Sequence, residues 1–361
     1  MAAWLITAAA AFLVTATFLP FLALAHGIVR VCDFPRVQIA VMAALLAALA
    51  LWLVEPAWWA WAVASLLAAS VAVQAGFILP FTPLWRIQSL AWDGAPDDPA
   101  TVRILVCNVK QSNRQYGRLV HLVQREDPDI VVLAETDHAW LGSLADCKEA
   151  FLHRVEQPQD NTYGMLLFSK LPLHHARVRY LLLDEVPSIQ ANVELRDGRR
   201  FNLIALHPEP PMPYADTLGR DAEIVLAAKL VEEDPLPSIV TGDLNDVAWS
   251  RTNRRFQRLS RLLDPRRGRG RFSTFHASYP FLRWPLDHLF HDPAFRLVEM
   301  RVLPHVGSDH FPIFFALALA DHDKAGGMPE EADREDRAEA RRVVRRGAEL
   351  ERDPIGTDWE D

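Results

Sequence analysis

The sequence is poor in cysteine. Cys32, Cys107 and Cys147 are an odd set with no CxxC pair and no Cys/His cluster at zinc-ligand spacing. That excludes a disulfide framework and a thiolate zinc site, and leaves the redox compartment open. Internal repeats are lacking, which excludes solenoids and propellers. Charge is almost missing from the first 84 residues, where Arg30, Asp33, Arg36 and Glu55 are the only charged side chains. An overall basic excess is missing too. The formal net charge is −8, and residues 321–361 hold eight basic against fourteen acidic residues. The acidity is a property of that tail and says little about the substrate.

What fills the charge-poor start is hydrophobic. Residues 2–25, 39–54 and 58–84 form three apolar runs separated by short polar hinges. A helix needs roughly 20 apolar residues to cross a bilayer, so the pattern predicts three transmembrane helices. Trp52, Trp58, Trp59, Trp61 and Trp85 fall near the run ends, where an aromatic belt forms. The first hinge carries Arg30 and Arg36, and the second carries Glu55 and no basic residue. Positive-inside logic then places the first hinge, and the chain after the third helix, in the cytoplasm. The expected localisation is a multi-pass cell-membrane protein.

Residues 88–101 contain Gly94, Pro96 and Pro99 and read as a linker. Beyond it, strand-like apolar runs occur at 102–107, 130–134, 165–168, 189–195, 201–206, 238–241, 286–290, 297–303 and 313–319. Helical spacing of apolar residues occurs at 116–126, 217–233 and 253–263. Neighbouring strands mixed with a few helices predict a layered α/β sandwich. The predicted organisation is a three-helix transmembrane region (1–87), a linker (88–101), a catalytic domain (102–320) and a charged tail (321–361). The tail's composition cannot bury a core, so disorder is the default there, with a transient, salt-bridged helix open to residues 334–352.

Polar residues collect where these strands meet loops. Asn108, Glu135 and His207 each follow a strand, as do Asp243 and Asn245. Asp287 opens a strand, and Asp309 and His310 precede the last one. Strand-end loops hold catalytic groups on a rigid scaffold. Singly, each has a plain structural explanation: a turn asparagine, a salt-bridged edge glutamate, an Asx turn at Asp243. Collectively they suit phosphoryl transfer, because carboxylates and amides suit Mg²⁺ and amide and imidazole donors suit phosphoryl oxygens.

The order of these segments carries a resemblance. Arg103-Ile-Leu-Val-Cys-Asn-Val and Pro128-Asp-Ile-Val-Val-Leu-Ala-Glu135 are followed by Tyr163-Gly-Met-Leu-Leu-Phe-Ser-Lys170 and Ala205-Leu-His207. Gly242-Asp-Leu-Asn245, Pro285-Leu-Asp-His288 and Gly307-Ser-Asp-His310 complete the series. From about Val102 to Leu319 the chain resembles the endonuclease/exonuclease/phosphatase superfamily, and in particular a membrane-anchored bacterial branch of it. The resemblance implies a DNase I-like four-layer α/β sandwich and a divalent metal, Mg²⁺ or Mn²⁺. It implies Glu135 as main metal carboxylate with Asn108 beside it and Asp309 near the metal or orienting His310. Asp243 would orient or deprotonate water, and Asn245 and His207 would hold phosphate. His310, polarised by Asp287, would stabilise developing charge, and Tyr163 would face the substrate. Several nuclease members carry an acid two residues after the first-motif asparagine. Lys110 stands there instead, which counts against a second metal.

Nine arginines and one carboxylate, Asp264, lie between Arg251 and Arg271. Arg267 and Arg269, in the Arg/Gly loop 266–271, are candidate phosphate contacts, since guanidinium forks pair with phosphate. The expected activity is a metal-dependent phosphoesterase acting on a lipid-linked phosphate or pyrophosphate. A membrane-tethered nuclease binding nucleic acid, and a non-catalytic membrane protein that kept the fold, remain alternatives.

Overall fold

The computed structural model describes residues 2–321 and 325–357. It opens with α1 (Ala2–Phe18), a short α2 (Gly27–Val31), α3 (Arg36–Leu53) and α4 (Ala57–Ile78). With their flanking turns, Ala2–Phe21, Arg36–Leu53 and Ala57–Phe81 are long and apolar enough to cross a membrane. They pack through small and branched side chains: Ala10 and Leu13 of α1, Ala43 and Ala50 of α3, Ala60, Val63 and Leu67 of α4. Alanine at the contacts lets helices approach closely. The outer faces leave Trp4, Phe12, Leu45 and Trp52 exposed.

The remaining elements are β1 (Thr101–Asn108), α5 (Tyr116–Glu126), β2 (Ile130–Ala134), α6 (His138–Ser143), α7 (Ala145–Lys148), β3 (His153–Gln157) and β4 (Met165–Ser169). Next come β5 (Leu173–Tyr180), β6 (Pro187–Glu194), β7 (Arg200–Leu206), α8 (Leu218–Glu233), β8 (Ser238–Asp243) and α9 (Arg251–Ser260). The chain continues with β9 (Asp287–His291), β10 (Phe295–Val302), β11 (Ile313–Leu319) and α10 (Arg334–Ala348).

The strands form two sheets, β10-β11-β1-β2-β4-β3 and β5-β6-β7-β8-β9. Period-two alternation explains their stacking. Ile104 and Val106 of β1 and Ile313, Phe315 and Leu317 of β11 meet Ile189, Leu203, Ala205 and Ile239 of the second sheet in one inner core. The opposite faces of β1, β2 and β4 pack under α5 and α6 through Leu105, Leu122, Leu133 and Trp140. Ile204 and Val240 pack under α8 and α9 through Ile224, Ala228 and Phe256. The result is the expected four-layer α/β/β/α sandwich behind three apolar helices.

Register brings the chemistry to one edge. Parallel pairing sets Asn108 beside Ala134, immediately before Glu135. Leu206 pairs with Gly242, so His207 and Asp243 emerge together. Asp243 pairs with Asp287 across β8 and β9. Antiparallel pairing of Val106 with Ile313 returns Asp309 and His310 to the same end.

The apolar helices dock onto that end. The Gly27 amide donates to the Ala215 carbonyl (2.8 Å) and the Gly268 amide to the Pro80 carbonyl (2.9 Å). The Trp249 indole donates to the Asp33 carbonyl (2.7 Å), and Phe81 meets Trp249 edge-on. The linker is not loose either, because the Trp92 amide donates to the Leu297 carbonyl.

The tail differs from the disorder its composition predicts. Residues 334–348 form α10, capped by Asp333 accepting from the Asp336 amide. Ala340, Val343 and Gly347 recur at helical spacing and are buried. Gly347 sits against Ala222 of α8, and Arg258 grips Asp336 through two hydrogen bonds of 2.6 Å. A short apolar stripe and one bidentate pair dock a segment whose overall charge hides them.

Candidate active site

Asn108 is the hub. Its side-chain amide donates to Glu135 Oε1 at 2.7 Å and to Asp243 Oδ2 at 2.9 Å. Its own oxygen accepts from the Lys110 amide at 3.0 Å. Glu135 also accepts from the Gln111 amide at 3.3 Å. Glu135, Lys110 and Asn245 all have positive φ, at 58°, 58° and 51°. Backbone strain of this kind in non-glycine residues collects at functional sites.

Asp243 is buried and accepts from the Asn245 amide at 2.9 Å. Its Oδ2 lies 3.5 Å from His310 Nε2 and 4.0 Å from His207 Nε2. His310 Nδ1 in turn lies 2.8 Å from Asp287 Oδ2. The sequence Asp287–His310–Asp243 is thus a chain of two buried carboxylates bridged by one imidazole. Ser308 braces it, donating to the Asn108 carbonyl at 2.8 Å and accepting from the His310 amide at 3.0 Å.

Burial alone would lower the His310 pKa, but Asp287 and Asp243 outweigh it and raise it to about 10. His310 is therefore a cation at neutral pH. Burial lowers the pKa of His207, against an opposing pull from Asp243, and His207 Nδ1 has no partner among the described residues. Burial lifts Asp243. It also lifts Glu135 to about 7, opposed by the Asn108 hydrogen bond and reinforced by Asp309.

Glu135 has no cationic partner among the described ion pairs, whereas Lys110 Nζ lies 3.3 Å from Asp309 Oδ2. A half-buried carboxylate without a cation, with Asp309 and Asp243 near enough to raise its pKa, suits a hard divalent ion. Asn108 would add its oxygen only with its amide turned over, since its NH₂ faces Glu135 here. Asp243, Asp287 and His310 also bring ligand atoms within 4.8 Å of one another. Their hydrogen bonds suit a proton-holding relay better, since Asp287 already occupies His310 Nδ1.

Lys110, Glu135, Tyr163, His207, Asn245, Asp309 and His310 line one cleft of about 310 Å³. Arg267 and Arg269 do not reach it. Arg267 lines a separate cavity, and Arg269 donates to the Pro265 and Ser89 carbonyls. Loop 266–271 folds toward the end of α4 instead, as the Gly268–Pro80 bond requires. Sequence reasoning missed Val31 and Phe34, which wall the cleft from the hinge between α1 and α3. Nothing local in the sequence marks them.

A glycine sets the aim of Asp243. Gly242 has φ of 133°, and a Cβ there would sit 2.0 Å from the Leu206 carbonyl oxygen. Gly242→Ala is expected to abolish hydrolysis and to cost about 1–3 kcal/mol in an unfolding titration. Wild-type activity in that variant would show that the strand end tolerates displacement.

The sequence profile of the Endonuclease/Exonuclease/phosphatase family matches residues 104–310, from the strand before Asn108 through His310. The chain belongs to this family. Solved structures share its fold. One is D. rerio TDP2 complexed with a single-strand DNA product, at 16% identity and TM-score 0.51, covering 60% of this chain and 98% of that one. Another is the endonuclease/exonuclease/phosphatase from Bacteroides vulgatus, at 18% identity and TM-score 0.51, covering 61% and 99%. A Bacteroides thetaiotaomicron mannosyl-6-phosphatase aligns at 20% identity and TM-score 0.46, covering 60% and 99%. No curated protein matches the sequence. Family members are generally phosphoester hydrolases, commonly with divalent metals, and the matched span contains every strand-end residue of the cleft.

Proposed function

We propose that this chain is a membrane-anchored, metal-dependent phosphoesterase acting on a lipid-linked phosphate or pyrophosphate. Residues 1–87 are its membrane region, 88–101 a docked linker and 102–320 its catalytic domain. The observation that carries the substrate class is the wall of the cleft. Val31 and Phe34, from between the first two apolar helices, line the same cleft as Glu135, His207 and His310. Pro211, Met212, Phe275 and Leu286 extend the apolar side. A polar floor with an apolar wall continuous with the helix ends fits a charged head on a hydrocarbon tail. Phe281 is 86% exposed, and its carbonyl accepts from Gln38 of α3 at 2.6 Å. Tethering enzyme and substrate to one surface raises their effective concentration without further contacts.

In this proposal Glu135 and Asp309, with Asn108 once its amide is turned over, would hold the divalent ion, Mg²⁺ or Mn²⁺. When bound it supplies Lewis-acid polarisation of a phosphoryl oxygen. Asp243 accepts a proton from water as the water oxygen bonds to phosphorus and the bond to the leaving oxygen breaks. Asn245 and neutral His207 donate to phosphoryl oxygens. The His310 cation, steadied by Asp287, faces the charge that grows there. Tyr163, whose ring lies 5.6 Å from that of His207, shapes the substrate side. Arg30 in the first hinge and Arg86 beyond the third helix favour a cytoplasmic catalytic domain. A reporter fused at the C terminus tests that side.

The testing experiment assays full-length protein in detergent with Mg²⁺ and then EDTA. Substrates are polyprenyl pyrophosphate, phosphoinositides, and single- and double-stranded DNA. Mg²⁺-dependent phosphate release from a lipid, lost in Glu135→Gln, is the expected result. Cleavage of DNA alone would overturn the lipid assignment in favour of a nuclease. A second expectation concerns the wall. The pair Val31→Ser and Phe34→Ser lowers kcat/KM on the lipid about tenfold to a hundredfold by the cost of lost apolar contact. Hydrolysis of a short water-soluble phosphate ester stays at the wild-type rate. Equal losses on both would show a structural role instead.

A further inference from the structure

The arginines that miss the active site converge elsewhere. Arg86, Arg254, Arg258 and Arg267 line a cavity of about 280 Å³ together with Trp85 and Glu330. Arg258 is neutralised by Asp336, through two hydrogen bonds. Among the described residues, Arg86, Arg254 and Arg267 have no carboxylate within ion-pair distance. Arg254 donates to the Ser250 carbonyl at 3.3 Å and stacks over Phe77 at 4.8 Å. Arg267 reaches Gln257 Oε1 at 3.5 Å and lies over Phe81 at 6.0 Å. Burial pulls Arg254 down to about 10, and Arg36, Arg258 and Arg251 push the same way against Asp33. Glu330 is the cavity's one lining carboxylate, so positive charge is in excess there.

Position sets the occupant. The third apolar helix ends at Phe81, and Trp85 and Arg86 follow within about one turn's length of chain. Leu84 is 86% exposed. Phe77 and Phe81, the rings beneath the guanidiniums, belong to that helix and its terminal turn. An indole at a span end lies at headgroup depth, where anionic lipid presents its phosphates and attracts each nearby arginine.

We propose that this cavity binds the headgroup of an anionic phospholipid, distinct from the catalytic cleft, and so fixes the catalytic domain against the membrane surface. Guanidinium forks on Arg86, Arg254 and Arg267 hold the phosphate, and Trp85 flanks the glycerol region. The proposal rests on the membrane-spanning reading of the three helices.

The test uses the full-length chain. Alkaline carbonate extraction of membranes comes first, and a chain that washes off overturns both the spanning reading and the site. Detergent-purified protein is then titrated with phosphatidylglycerol or phosphatidylcholine and retained lipid is counted by native mass spectrometry. Wild type is expected to retain phosphatidylglycerol preferentially. Arg86→Gln with Arg254→Gln reduces that preference by about tenfold or more, given the contribution of each surface arginine. Arg86→Gln alone, at an exposed position, gives a partial loss and guards against misfolding of the pair. A chain that resists extraction yet shows no preference, or a preference unchanged in both variants, overturns the headgroup site alone. Displacement of the lipid by millimolar inorganic phosphate would assign the cavity to the free anion and overturn the lipid commitment.

Discussion

Asp243→Asn is expected to lower kcat on the phosphoester substrate by about three orders of magnitude, the span of a general base. The variant changes one atom's chemistry at a position where every neighbour is fixed. Asp243 Oδ1 accepts from the Asn245 amide and Oδ2 from the Asn108 side chain. An asparagine satisfies one of these and turns a donor toward the other, whichever way its amide is oriented. That mismatch costs about 1–3 kcal/mol of stability, while relief from burying a carboxylate works in the opposite direction. Folding and catalysis therefore separate in measurement. The thermal midpoint in detergent moves by a few degrees, whereas turnover falls by a factor no partial unfolding explains. Substrate binding, read by retention of substrate on the inactive protein, survives. Activity within tenfold of wild type in a folded Asp243→Asn protein would remove Asp243 from the role of proton acceptor.

Why that residue was legible beforehand, and others were not, follows from how the fold is encoded. β1, β2, β4, β7, β8 and β11 are largely buried on both faces, so their sequences are mostly apolar, with Arg103, Asn202 and Thr241 as internal exceptions. A polar residue stands at or just past the C-terminal end of β1, β2, β7 and β8. Asn108, Glu135, His207 and Asp243 stand at those ends. β3 and β5 escaped sequence reading because they lie at sheet edges with half-exposed polar residues, His153 to Gln157 and Leu173 to Tyr180. An edge strand is held by its one neighbour and needs no apolar pattern of its own. α10 is legible only as a transient, salt-bridged helix over 334–352, for the opposite reason. Its buried stripe of Ala340, Val343 and Gly347 is diluted by charges that face water.

Position in space was the harder problem. Arg267 and Arg269 have the chemistry of a phosphate contact and lie between two motifs in sequence, but Gly268 ties their loop to the end of α4 instead. Val31 and Phe34 precede the first motif by 72 and 69 residues. Their place in the cleft depends on how α2 and the turn before α3 dock onto Ala215 and Trp249, which no local pattern encodes. Lys110 lies in the cleft against Asp309, where it balances a carboxylate in a crowded acidic edge.

The relay behind that edge supports the second large effect. His310→Gln is expected to reduce kcat about a hundredfold to ten-thousandfold, and Asp287→Asn to come close to it. Asp287 is fully buried and meets the His310 ring nitrogen at 2.8 Å. That carboxylate orients the ring and holds its proton. With an amide in its place the imidazole loses its largest stabilising neighbour and the reason to remain a cation. Asp243 would still attract it from 3.5 Å, so the single variant at 287 keeps a residue of function that the variant at 310 loses. Because the two side chains act as one unit, the double variant should be no slower than His310→Gln alone. Additive losses, the product of the two single effects, would mean that Asp287 serves the reaction by a route that does not pass through His310. The measurement is kcat for four proteins at one saturating substrate concentration, with circular dichroism confirming that each is folded.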